Sequence, residues 1–149
     1  MRGGLGLDTN LLLYALNAAA SEHPAAVTFL KSQMDSTDVF LSELVLVELY
    51  VLLRNPAVLR TPLSAQEAVE VIDRYRRHPR WRIVDHPTGV MDAVWTQAAE
   101  PTFALRRIFD LRLAIGLQRH GVTRFATRNV SDFQALGFAQ VFDPLDMRK

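Results

Sequence analysis

Apolar and polar positions alternate along the chain in two kinds of run. Leu5 to Asp8, Val39 to Ser42, Trp81 to Asp85, Arg124 to Thr127 and Gln140 to Asp143 are short, of β-type composition, and of strand length. Pro144 stops the last of them and marks it as an edge strand. Between these runs lie stretches of helical period. Thr9 to Leu16 follows the first strand with no loop, and Glu43 to Arg54 follows the second. That second helix ends where Asn55 precedes Pro56, because the residue before a proline is pushed out of helical geometry. Ser64 and Glu67 form a capping box, followed by one apolar stripe of Ala65, Ala68, Val69 and Ile72. Ser131 and Gln134 have the same spacing and predict another capped helix closing at Gly137. Strands alternating with helices predict an α/β fold in which a parallel sheet of four or five short strands is flanked by helices. In such sheets chemistry collects at the carboxyl ends of the strands.

No internal repeat, linker or low-complexity stretch divides the 149 residues, so one domain is expected over 1–149. A chain of this size buries roughly two-thirds of its unfolded surface and needs neither disulfides nor a structural metal. Cysteine is absent, which excludes a disulfide framework, thiolate zinc sites and a cysteine nucleophile. The segment from Met1 to Gly6 has no targeting character, and the apolar run from Leu11 to Leu16 is too short to span a bilayer, so no membrane association and a cytoplasmic location are expected. Seventeen basic residues balance sixteen acidic ones, so the position of each charge matters more than the sum. Fifteen of the basic residues are Arg, whose planar guanidinium suits phosphate and carboxylate partners.

The informative acids are those set among apolar neighbours. Asp8 stands at a strand-to-helix corner between Leu5-Gly6-Leu7 and Leu11-Leu12-Leu13. It can serve as a helix N-cap, but Asp8, Thr9 and Asn10 in a row exceed what one cap requires. Glu48 is the only charge from Leu44 to Leu53, in a helix apolar on every face and therefore expected to be largely buried. A buried carboxylate must be protonated, paired or bound to a metal. Asp110 lies near the start of a helix that runs to about His120 and stops at Gly121. Arg106 and Arg107 offer it local ion pairs, and Ile108, Phe109, Leu111, Leu113 and Ile115 predict a mostly buried setting. Asp132 follows the strand-end segment Thr127-Arg128-Asn129, where it also complements a helix dipole. These acids sit at strand ends or on helices leaving the same sheet edge, so they can converge. Converging carboxylates repel one another unless a divalent cation neutralises them, and all-oxygen ligation points to Mg²⁺ or Mn²⁺. His23, His78, His86 and His120 share no motif and offer no competing zinc centre.

Leu7-Asp8-Thr9-Asn10, then Ser42 with Glu48 six residues on, then Asp110-Leu-Arg-Leu-Ala, then Thr127-Arg128-Asn129 followed by Asp132-Phe133, together resemble a PIN-domain nuclease of the VapC toxin type. The resemblance spans Leu5 to Pro144. It implies a three-layer α/β sandwich and a Mg²⁺- or Mn²⁺-dependent endoribonuclease, the toxin of a type II toxin–antitoxin pair. It also implies a cognate antitoxin that occludes the site, and a homodimer. Asp8, Glu48 and Asp110 match the family's three central acids. The family commonly places a fourth acid two residues after the strand-end Thr; this chain has the uncharged Asn129 there, with Asp132 three residues later. Thr9 and Thr127 match the hydroxyl positions beside the acids, and Asn10 and Ser42 are supporting positions.

The chemistry expected from these acids is hydrolysis. A metal held by Asp8 and Asp110, with Glu48 as ligand or water-orienting base, lowers the pKa of a water for in-line attack at phosphorus, leaving a 5′-phosphate and a 3′-hydroxyl. Basic residues should then ring the acids, and Arg106, Arg107, Arg112 and Arg128 are the candidates for RNA contact. The five arginines from Arg74 to Arg82 form the densest basic cluster, although most charges on a helix simply face water. Two other readings stay open: a PIN-fold RNA-processing nuclease without an antitoxin, and a non-catalytic RNA- or protein-binding module with a degraded site.

Overall fold

The structure, a computed structural model, describes residues 3–146; Met1 and Lys149 lie outside that range. Five strands, β1 (Gly4–Leu7), β2 (Val39–Ser42), β3 (Arg82–Val84), β4 (Val122–Ala126) and β5 (Gln140–Phe142), form one sheet in the order β3-β2-β1-β4-β5. Every neighbouring pair is parallel. Seven helices connect and cover them: α1 (Thr9–Leu16), α2 (His23–Ser32), α3 (Glu43–Leu53), α4 (Ala65–Arg76), α5 (Val90–Ala98), α6 (Arg107–Gln118) and α7 (Val130–Phe133). The α/β fold and parallel sheet read from the sequence are those of the structure.

The strand order decides where a site can form. From β1 the chain moves outward through α1 and α2 to β2, then through α3 and α4 to β3. It returns across the sheet through α5 and α6 to β4, and moves outward the other way through α7 to β5. Right-handed crossovers then put α1–α4 on one face and α5–α7 on the other. Packing agrees, since α1 touches α2 and α3, α3 touches α4, and α5 touches α6. The direction of winding reverses between β1 and β4, which opens a crevice beyond their carboxyl ends. The central strands β1 and β2 are buried along their whole length, whereas β3 and β5 are edge strands with exposed positions.

Local chemistry sets most boundaries. Ser64 and Glu67 make the capping box at the start of α4, each side chain bonding the other's backbone N–H. Gly121 takes φ +90° just beyond α6, a left-handed conformation that favours glycine. The capping box expected at Ser131 is not formed. Asn129 is the N-cap of α7, and Ser131 lies inside the helix. The cause is Thr127, whose hydroxyl accepts the Asn129 N–H at 2.9 Å and starts the turn two residues earlier. Trp81 sits just outside β3, buried, with its Nε1 donating to the Gln33 carbonyl at 2.9 Å.

Two expectations about burial are corrected. Helix α3 is not buried on every face: Val45, Leu46, Leu49 and Leu53 pack inward, while Val47 and Val51 are 61% and 56% exposed. Glu48 belongs to the exposed side as well. A helix lying on one face of a sheet has only one flank to bury, whatever its composition. On α6, Leu111, Leu113 and Ile115 are buried as expected, but Phe109 is 73% exposed.

Candidate active site

An open cleft of about 280 Å³ lies at the β1/β4 crevice. The corner after β1 supplies its floor. Asp8 donates its backbone N–H to the Ala126 carbonyl at 3.0 Å, which ties the corner to β4. Its carboxylate then makes two bonds: Oδ1 accepts the Thr9 N–H at 2.8 Å as the N-cap of α1, and Oδ2 accepts the Thr127 hydroxyl at 2.6 Å. The cap role and the role of a cleft-lining acid therefore coincide in one side chain. Thr127 is fully buried and is anchored by its own N–H to the Phe142 carbonyl on β5.

The other acids arrive on three separate elements. Glu48 comes from α3, Asp110 from the first turn of α6, and Asp132 from α7, and all three line the cleft with Asp8. Asn10 and Asn129 line it too. Asn129 caps α7 through its position only, since its side chain makes no capping bond. Thr9 stands between two acids: its backbone N–H donates to Asp8, and its hydroxyl lies near enough to the Glu48 carboxylate to favour the charged form. Ser42 is not brought to the cleft. It is buried at the start of α3, where its hydroxyl accepts the Leu44 N–H at 3.1 Å. None of the four histidines lines the cleft.

The electrostatics follow from this crowding. Burial pushes the Asp8 carboxyl up to about 6, with smaller upward contributions from Glu48 and Asp132, against the opposing bonds from Thr127 and Thr9. Asp110 is likewise raised to about 6, first by burial, then by Asp132 and Asp8, with Arg107 opposing. Burial raises Glu48, which the Thr9 hydroxyl partly offsets and Asp110 adds to. Asp8 and Asp110, raised to about 6 with like charges around them, are groups for which a dication is a natural partner.

The arginines separate into distinct settings. The Arg128 guanidinium bonds Asp143 at 2.6 Å and ties the β4–α7 corner to the end of β5, while the Arg128 backbone N–H reaches Asn10 Oδ1 at 3.5 Å. Arg112 lines the cleft, whereas Arg106 and Arg107 flank it at the start of α6. The Arg74 to Arg82 cluster is dispersed. Arg76 pairs with Glu43 at 2.8 Å, and Arg82 begins β3 at the amino end of the sheet, opposite the cleft, over the ring of Phe40.

A family model for the PIN domain matches residues 6–138. The chain is also 50% identical over 141 residues to Ribonuclease VapC24 of Mycobacterium tuberculosis, covering 95% of this chain and 97% of that one. The chain belongs to the VapC family of PIN domains. Among solved structures, this PIN domain resembles Mycobacterium tuberculosis VapC20, described as a sarcin-ricin loop cleaving toxin, with a TM-score of 0.66 at 19% identity over 91% of this chain and 96% of that chain. It also resembles a chain of a toxin–antitoxin complex from Klebsiella pneumoniae, with a TM-score of 0.52 at 19% identity over 95% and 97%. At those identities the likeness is one of fold.

The donor set of the PIN-domain cleft fits a hard divalent cation. Four carboxylates and two carboxamides present oxygen, and the cleft has no thiolate or imidazole. Among the described residues no group of three or more His, Asp or Glu is arranged to hold a metal ion. Mg²⁺ requires less than that, because it keeps several waters and takes one or two carboxylates directly. Sequence pattern gave no sign of Arg128's partner Asp143, fifteen residues away, nor of the exposure of Phe109 beside Asp110.

Proposed function

We propose that this chain is a single-domain, divalent-metal-dependent endoribonuclease that acts as the toxin of a toxin–antitoxin pair. Its VapC membership makes it a PIN-domain toxin ribonuclease; the identity to a ribonuclease along nearly the whole chain supports the activity. The single observation that carries the site assignment is the meeting of Asp8, Glu48, Asp110 and Asp132, from four different elements, around one cleft at the switch point of the sheet.

Asp8 and Asp110 would hold Mg²⁺ or Mn²⁺, with Glu48, Asp132 and Asn129 serving it through bound water. When bound, that cation supplies charge neutralisation at the phosphate and a water acidified toward neutral pH. The chain supplies the rest. The Thr127 hydroxyl and the Thr9 N–H each bond one oxygen of Asp8, which holds the carboxylate in place, and each oxygen keeps a further lone pair for a cation. Glu48, at the rim of the cleft on α3, is the residue to take a proton from an entering water. In the proposed step a water oxygen bonds to phosphorus and the P–O3′ bond breaks, with a proton passing to the departing O3′. This leaves a 5′-phosphate and a 3′-hydroxyl and makes no use of the 2′-hydroxyl as nucleophile.

A cognate antitoxin is the proposed partner, and the open cleft is its proposed seat. A homodimer is the proposed assembly, and the exposed Val47 and Val51 on α3 supply an apolar face for it. Among the described residues no helix is long and apolar enough to cross a membrane. Incubating total RNA with the purified protein, with and without Mg²⁺, and mapping the product ends tests the proposal. Metal-dependent fragments with 5′-phosphates support it, and intact RNA under both conditions refutes it.

A further inference from the structure

Phe109 and Arg112 both line the acid cleft, and neither has a partner that accounts for it. Phe109 is 73% exposed at the mouth, beside Asp110, and its ring pairs with no other aromatic among the described residues. Arg112 is the one cation among the described residues that line the cleft, set against four carboxylates. It nonetheless makes no ion pair with them, and its Nε is buried without a hydrogen-bond partner. Asp110, two residues earlier, lies round the helix from it, where side chains do not face one another. One turn further along α6, His86 fills the surface over Gly116, where a Cβ would stand 3.1 Å from its Nδ1. His86 is near enough that the Arg112 charge adds to burial in lowering its pKa. Gly116 and His86 thus shape the helix surface next to Arg112, which reaches the cleft without neutralising an acid in it.

Three residues apart, Phe109 and Arg112 are neighbours on the surface of α6. An exposed flat ring next to an unpaired planar cation matches the two halves of one nucleotide, since every base has a face that stacks and every linkage a phosphate. An apolar protein segment would use the ring and leave the guanidinium unpaired. An acidic side chain would satisfy the guanidinium and leave the ring in water. We infer that Phe109 and Arg112 form a nucleotide clamp at the mouth of the cleft, Phe109 carrying a base next to the cleavage point and Arg112 carrying its phosphate. The clamp rests on the ribonuclease reading above and adds to it the place where the RNA strand is gripped.

The test uses an RNA oligonucleotide spanning a cleavage site mapped from total RNA with the wild-type protein. Its binding to the non-cleaving Asp8→Asn protein is titrated across several salt concentrations, alone and with each clamp residue changed. Adding Arg112→Gln lowers the slope of log affinity against log salt by roughly 0.7 to 1, the signature of one lost phosphate contact. Adding Phe109→Leu weakens binding roughly tenfold with the slope unchanged, because stacking releases no counterion and leucine keeps the apolar bulk. Parental affinity and slope in either variant overturn the clamp while wild-type cleavage preserves the ribonuclease assignment. A changed sedimentation mass for Phe109→Leu with RNA affinity intact also overturns it, by placing the ring in a protein interface. Absence of cleavage by the wild type removes the ribonuclease reading itself, and the clamp with it.

Discussion

The Thr127 hydroxyl donates to Asp8 Oδ2 at 2.6 Å and joins the carboxyl ends of β4 and β1 across 119 residues of sequence. The same oxygen of Thr127 accepts the Asn129 N–H, so one buried hydroxyl orients an acid of the cleft and starts the turn into α7. Replacing it by the isosteric Thr127→Val leaves the Asn129 N–H without its acceptor and strips Asp8 of a bond that favours its charged form. A loss of about 1–3 kcal/mol in stability is expected. The Asp8 carboxyl should also rise further, so the acidic limb of the cleavage pH profile moves to higher pH. Denaturant unfolding and a pH–rate profile check both effects, and Thr127→Ser, which keeps the hydroxyl, should restore the profile.

Asp8 and Asp110 couple the site to overall stability. Both carboxyls sit at about 6 in the folded protein, against 3.8 ordinarily, so the folded state holds their protons more tightly than the unfolded chain does. Their contribution to stability is therefore complete below about pH 4 and is lost as pH rises through about 6. For the buried Asp8 alone the shift corresponds to about 3 kcal/mol at most. Metal-free protein should unfold a few degrees higher at pH 5 than at pH 7.5. Mg²⁺ should recover most of that difference at pH 7.5 and add little at pH 5, where protons compete for the same oxygens. Thermal melts at the two pH values, with EDTA and with Mg²⁺, provide the check; metal-free protein that is more stable at pH 7.5 contradicts the assignment.

Glu48 is a cleaner probe than its sequence context suggests. In a fully buried helix, removing it would mix catalysis with folding. Because it is exposed at the rim, Glu48→Gln should change stability by no more than about 0.5 kcal/mol. Cleavage should nonetheless fall ~100-fold or more if its carboxylate takes a proton from water. Steady-state cleavage beside a thermal melt separates the two, and a variant that is stable and fully active removes Glu48 from the site.

How much of this could be read from the chain differs from residue to residue. Strand and helix positions were legible because their signals are local: apolar runs, Ser64 with Glu67, the proline at position 56. Asp8, Glu48 and Asp110 stood out as acids among apolar residues, and the structure places all three at one cleft. Composition predicts full burial for Glu48 but cannot say which flank of α3 faces the sheet; the residue is exposed overall, and only its carboxyl is partly covered where it enters the cleft. Ser131 failed as a cap because a hydroxyl on Thr127 nucleates the turn first. Arg128 reads as an RNA contact next to Asn129, yet it is bonded to Asp143 just past the carboxyl end of β5, a pairing that only the folded chain reveals. The Arg74 to Arg82 cluster is dense in sequence and dispersed in space, because a helix end and a strand start carry its members apart.

Cleavage by Asp8→Asn protein bears most directly on the claim that the carboxylates at the β1/β4 switch point cut RNA. Asparagine keeps an oxygen for the Thr9 N–H, so the cap on α1 survives. It also removes a charge that burial and neighbouring acids disfavour, so the metal-free melting temperature should hold or rise. With Mg²⁺ present and the wild type cutting its RNA in parallel, the purified variant should show no metal-dependent cleavage above background. A folded Asp8→Asn protein that cuts at the wild-type rate would contradict the assignment of the site.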